Sequence, residues 1–199
     1  MKPRHTLLPL GIAMALREVL LFPDPRLKRV CEPIEELDDA VRELASDMLE
    51  VMYDEPGIGL AAPQVGEGIR LIVLDTDWTE EGAERSPLVL VNPEILEREG
   101  TIIWTEGCLS VPDFQAEVER SQKVRVRGLD LDGKERIEEA EDLRAVCLQH
   151  EIDHLDGVLF IDRISRLKRN MYVKKRKKAL KFEGDDDESH RSSKLGTSL

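Results

Sequence analysis

Hydrophobic positions along the chain follow two periods. Residues 38–52 carry Val41, Leu44, Ala45, Met48, Val51 and Met52 at helical spacing, with Asp38 or Asp39 available as an N-cap. Short β-branched runs follow at 69–74 and 88–91, residues 101–105 read as a strand, and Val124-Arg125-Val126-Arg127 alternates apolar and polar. Asp132-Gly133 is a hairpin signal between strands. Residues 141–160 return to helical spacing, with Leu143, Val146, Cys147, Leu148 and Leu155 apolar and Asp156-Gly157 as a stop. Strands followed by a late helix predict an α+β domain, with antiparallel or mixed β-sheets packed around that helix as its centre. No internal repeat is present.

The late helix holds His150-Glu151-Ile152-Asp153-His154, the most informative chemistry in the chain. One helical turn apart on one face, His150 and His154 can grip a single divalent ion, and Glu151 then sits beside it as a proton carrier. This is the equipment of metal-assisted hydrolysis of an amide-like bond. The same string also arises as a plain solvated helix face, so the reading needs a packed helix and a third ligand. Hydrolytic centres usually take three protein ligands and leave a position open for water.

Three cysteines are available, Cys31, Cys108 and Cys147. Cys147 lies roughly 10 Å before His154 along the helix axis, at about 1.5 Å per residue, and reads as a buried apolar residue beside the site. Cys31 reads as structural. Cys108 sits in Glu106-Gly107-Cys108-Leu109-Ser110-Val111-Pro112, where Gly and Pro bracket a sharp segment that can aim a thiolate at the helix and turn a backbone N–H toward a substrate. A third segment, residues 57–66 (GIGLAAPQVG), lets backbone approach a ligand closely, and its Gln64 offers an amide donor for an oxyanion.

Taken together and in order, GIGLAAPQVG (57–66), EGCLS (106–110) and QHEIDH (149–154) resemble the peptide deformylases, metallohydrolases that remove the N-formyl group from the initiator methionine of nascent bacterial polypeptides. The resemblance extends over about residues 17–176. It implies Cys108, His150 and His154 as metal ligands, Glu151 as general base and acid, and Gln64 with the backbone N–H of Leu109 as the oxyanion donors. It further implies that Ile58 and Gly59 flank the substrate backbone, and that Leu143, Val146 and Cys147 line the pocket for the methionine side chain. One thiolate and two imidazoles favour a soft or borderline ion over magnesium or calcium. In the family that ion is usually ferrous iron, with zinc or nickel as alternatives. The chain departs from the family pattern at Asp113, where many members have Gly, and at Phe114-Gln115, where an Arg is common; residues 1–16 have no counterpart.

Composition narrows the remaining choices. A chain of 199 residues with 41% hydrophobic content supports one well-filled domain. An odd number of cysteines, one of them wanted as a thiolate, argues against a disulfide framework and for a reducing, cytoplasmic setting. No apolar run approaches the roughly 18 residues of a membrane span. The expected layout is an N-terminal extension at 1–16, read as loosely packed rather than targeting, a catalytic domain at 17–162, a basic C-terminal helix at 163–182, and a polar, disordered tail at 183–199.

The net charge is −12, yet residues 163–181 hold ten basic side chains and no acidic one. Such a block suits a polyanionic partner, and the resemblance implies the ribosome rather than DNA or a membrane, with N-formylmethionyl peptides as substrate. Two other readings use the same residues. A zincin-like peptidase would commonly take its third ligand downstream, where the only histidine is His190. A non-catalytic ribosome-associated relative would have no chemical need for Gln64, Cys108, Glu151 and both histidines together.

Overall fold

The computed structural model describes residues 17–79 and 83–194, with side chains through residue 181. The expectation for residues 1–16 lies outside the described residues. Seven strands and three α-helices follow in chain order: α1 (Asp39–Asp54), β1 (Gly59–Ala61), β2 (Leu71–Leu74), β3 (Leu88–Glu99), β4 (Ile102–Cys108), β5 (Val111–Arg120), β6 (Lys123–Leu129), β7 (Glu135–Glu141), α2 (Asp142–Leu155) and α3 (Arg166–Lys194). A 3₁₀ turn at Ala62–Val65 follows β1 directly.

Five strands form one antiparallel sheet in the order β1-β2-β3-β6-β7, and β4 pairs with β5 as a separate hairpin. All four residues of β2 are buried, because the sheet is covered on both faces. Ile72 and Leu74 join Leu90, Val124, Val126 and Ala140 against Leu148, Ile152 and Leu155 of α2. Leu71 and Val73 point the other way, onto Val41, Leu44, Met48 and Met52 of α1. Period-two alternation across β2 thus feeds two cores at once. Each fully buried Leu, Ile or Met contributes about 1.5–3 kcal/mol relative to exposure. A third cluster joins Val111, Ala116 and Val118 of the hairpin to Leu159, Phe160 and Tyr172.

The expected α+β architecture is present, with α2 as the central helix. α1 starts as the spacing predicts, with the Asp38 carboxylate accepting from the Val41 N–H. α2 is shorter than 141–160. It stops at Asp156, and Gly157 turns the chain at φ +70°, where a Cβ would lie 2.6 Å from the Lys28 carbonyl oxygen. β3 runs eight residues past the predicted end at Val91, because its outer half is held by paired charges rather than apolar side chains: Glu94 meets Arg127 at 2.6 Å and Glu97 meets Arg125 at 2.9 Å. The Glu106–Pro112 segment is no open loop. Cys108 pairs with Val111, leaving Leu109-Ser110 as a two-residue turn, with a register shift between Glu106 and Cys108.

α3 also differs from the expected basic helix at 163–182 followed by a disordered tail. It begins at Arg166 and its backbone stays helical to Lys194. The chain has no proline after Pro112 to break it. No helix among the described residues is long and apolar enough to cross a membrane.

Candidate active site

α2 meets the β4–β5 hairpin and the 57–66 segment around one cavity of about 810 Å³. Three ligand atoms, one each from Cys108, His150 and His154, lie within 4.8 Å of one another. The imidazoles come from successive turns of α2, with ring centroids 5.0 Å apart and planes at 72°. The thiol comes from the end of β4 and sits 3.3 Å from His154 Nε2. His154 is 1% exposed and His150 8%, so neither is a solvated surface residue.

The surroundings fit a bound cation. His150 Nδ1 is engaged with Glu106 Oε2 at 2.8 Å, which fixes the ring and leaves Nε2 for the site. His154 Nδ1 and Glu151 Oε2 are buried with no hydrogen-bond partner. Buried polar atoms without partners are costly, and the Glu151 oxygen, on a residue that lines the cavity, signals a positive or polar group to be held there. A thiol and two imidazoles are also the donor types of a catalytic transition-metal site.

Electrostatics separate the titratable groups here. Burial pushes the Glu151 carboxyl up to about 7, a value at which it can both accept and release a proton. Burial would likewise raise Glu106, but the Arg120 guanidinium and the His150 ring outweigh it and bring the carboxyl down to about 2. Burial opposes a charge on His150, yet the adjoining Cys108 thiol and Glu106 carboxylate raise its pKa well above the usual imidazole value. His154, buried beside His150, is pushed well below it.

The other residues that the resemblance implies for the site reach the same cavity. Gln64, in the 3₁₀ turn after β1, accepts from the Ala61 N–H at 2.8 Å through Oε1, and so its Nε2 is turned toward Ser110 Oγ at 3.2 Å and Cys108 Sγ at 3.6 Å. Leu109 lines the cavity from the hairpin turn, and Ile58 and Gly59 from the opposite segment. Leu143, Val146 and Cys147 form the wall supplied by α2. Cys147 is 5% exposed, and burial holds its thiol well above the ordinary range, in keeping with an apolar role. Gly59 permits the closest approach: a Cβ there would stand 2.5 Å from Glu151 Oε1 and 2.8 Å from Cys147 Sγ. Gly59→Ala is therefore expected to displace the Glu151 carboxylate and lower kcat by up to about 10²-fold. Activity within twofold of the parent would mean that this contact relaxes harmlessly.

The supporting network behind His150 was not assigned from the sequence. Arg120 forks onto Glu106, with Nε–Oε1 at 2.6 Å and Nη2–Oε2 at 2.9 Å, while its Nη1 reaches Asp153 Oδ2 at 2.5 Å. Arg163 closes on the other side of Asp153. Glu106 and Asp153 both lie inside the quoted motifs, so a signal existed: a carboxylate beside each ligand segment. Arg120 stands at the end of a strand with nothing local to mark it.

Both the sequence and the fold have known relatives. Residues 16–170 match the sequence model of the family described as polypeptide deformylase. A curated peptide deformylase from Alkalilimnicola ehrlichii is 54% identical over 168 residues, covering 84% of this chain and 93% of the relative. Among solved structures, a peptide deformylase from Legionella pneumophila superposes with a TM-score of 0.78 at 44% identity, covering 85% of this chain and 98% of that one. One from Ehrlichia chaffeensis, in complex with actinonin, gives 0.78 at 38% identity, covering 83% and 98%. With a metal-competent Cys-His-His cluster at the floor of its cavity, this chain belongs to the polypeptide deformylase family.

Proposed function

We propose that this protein removes the N-formyl group from the initiator methionine of nascent polypeptides, with Cys108, His150 and His154 holding the metal and Glu151 moving the proton. The observation that carries the reading is the convergence of those three ligand atoms within 4.8 Å beside a buried carboxylate. A divalent ion there supplies Lewis acidity, lowering the pKa of a water and polarising a carbonyl. Glu151 takes the proton of the attacking water and delivers it to the departing nitrogen as the C–N bond breaks, releasing formate and a free amine. Gln64 Nε2 and the Leu109 N–H donate to the oxyanion that forms on the formyl oxygen. Ile58 and Gly59 hold the peptide backbone, and Leu143, Val146 and Cys147 receive the methionine side chain. The donor set suits ferrous iron, with zinc or nickel as substitutes.

The test is release of formate from formyl-Met-Ala-Ser by protein isolated anaerobically, with metal content measured on the same sample. Turnover with one equivalent of iron is expected. Absence of formate release by iron-, zinc- and nickel-loaded protein would overturn the reading.

The basic block at 163–181 supports a ribosomal partner in the bacterial cytoplasm. Among the members used within the fold are Arg163 on Asp153, Arg169 on Asp162 at 3.1 Å, and Arg176 on the Phe22 carbonyl at 3.0 Å. Lys174, Lys175 and Lys177 are exposed. Reversing these three to Glu is expected to weaken ribosome co-sedimentation about tenfold or more at low salt, leaving turnover of a free formyl-peptide within twofold. Unchanged binding would sink the idea. Removing residues 163–199 is a poorer test, because it strips Ile164, Tyr172 and Val173 from the third core cluster.

A further inference from the structure

Phe114 lines the cavity, and its ring is held from outside. It stacks on Tyr172 of α3 with centroids 4.7 Å apart and planes at 26°, and on Phe160 at 6.0 Å and 23°. Phe160 in turn lies 6.1 Å and 27° from the ring of His150. Four aromatic rings therefore run from the C-terminal helix, through the cavity wall, to the floor of the site. Phe22 closes the outer end, 6.0 Å from Tyr172.

Two further observations say that the stack holds the wall rather than merely filling space. Asp113, next to Phe114, is a non-glycine residue at φ +57°, a conformation that L-residues adopt at a cost, so surrounding packing must hold this segment in place. Tyr172 is 4% exposed, yet its hydroxyl is buried without a hydrogen-bond partner. The ring face is thus what the residue supplies. α3 in turn is anchored beside it by Arg176 on the Phe22 carbonyl.

We infer that Tyr172 is a positioning residue for the substrate cleft: carried on the helix with the basic face, its ring keeps Phe114 in place as the wall against which the peptide binds. The inference rests on the deformylase reading. It ties peptide affinity to the seating of α3, so whatever engages that helix also acts on the cleft.

The test compares Tyr172→Leu and Tyr172→Phe in the full-length, metal-loaded protein. Tyr172→Leu is expected to raise KM for formyl-Met-Ala-Ser about fivefold with kcat within twofold. It should weaken binding of the same peptide to metal-free protein by a similar factor, read through the fluorescence of Trp104 in the cavity wall. Tyr172→Phe should match the parent in both assays. If Tyr172→Leu does not fold, Tyr172→Met, whose unbranched, flexible side chain fills irregular gaps without a flat ring, carries the same expectation. An unchanged KM in the leucine or methionine variant, or a loss confined to kcat in proportion to unfolded protein, overturns the inference while leaving the deformylase reading intact. A parent protein that binds the peptide but releases no formate sinks the deformylase reading, and the inference with it.

Discussion

Glu151→Gln is expected to lower turnover of formyl-Met-Ala-Ser by about 10²–10⁴-fold, the contribution of a positioned proton carrier, while leaving metal content at one per chain. The three ligand atoms belong to Cys108, His150 and His154, and none to Glu151. The same substitution should leave the fold at least as stable as the parent. The carboxylate is 4% exposed, one oxygen has no partner, and burial already raises its pKa to about 7. An uncharged side chain of the same shape removes that penalty. Formate release at the parental rate would show that another group moves the proton, and a drop in metal content would show that Glu151 helps to hold the ion.

Arg120→Met is expected to destabilise the protein by about 3–5 kcal/mol, because it leaves the buried Glu106 carboxylate without its guanidinium partner and Asp153 with Arg163 alone. Arg120 and Glu106 have side chains only 2% and 3% exposed, and Asp153 is 10% exposed. Urea unfolding of the parent and the variant measures the difference directly. Glu106→Gln serves as the companion: it keeps an acceptor for His150 Nδ1 but loses the charge opposite Arg120. A loss below about 1 kcal/mol for Arg120→Met would mean that water reaches these carboxylates and that the network is not a dry one.

How legible the molecule was in its sequence depended on what held each element. α1 shows its apolar stripe because one side of it faces water, and Asp38 marks its start. β2 reads as a short apolar run because both faces of the sheet are covered. β7 (ERIEEAE) carries no such pattern, with only Ala140 fully buried; backbone pairing to β6 and ion pairs such as Lys123–Glu141 at 2.7 Å hold it. The outer half of β3 was hidden for the same reason. In the site, segments bearing chemistry were visible as motifs, whereas the contacts that orient them, Arg120 on Glu106 and Tyr172 on Phe114, join residues far apart in the chain. No local pattern encodes a partner of that kind.

The helical spacing of apolar residues over 141–160 reads as an amphipathic helix, and α2 is not one. From Ala145 to Leu155 every residue is buried, the polar ones among them. Such a helix has no neutral side on which substitutions can accumulate. Ile152 and Leu155 are packed into the sheet, Gln149 bonds the Ser121 carbonyl at 2.8 Å, and Asp153 sits between two guanidinium groups. In a saturation library, this stretch should accept fewer changes than α1, whose outward positions face solvent. Chemistry and packing are written into the same eleven positions, so the reaction cannot be retuned there without also rebuilding the core.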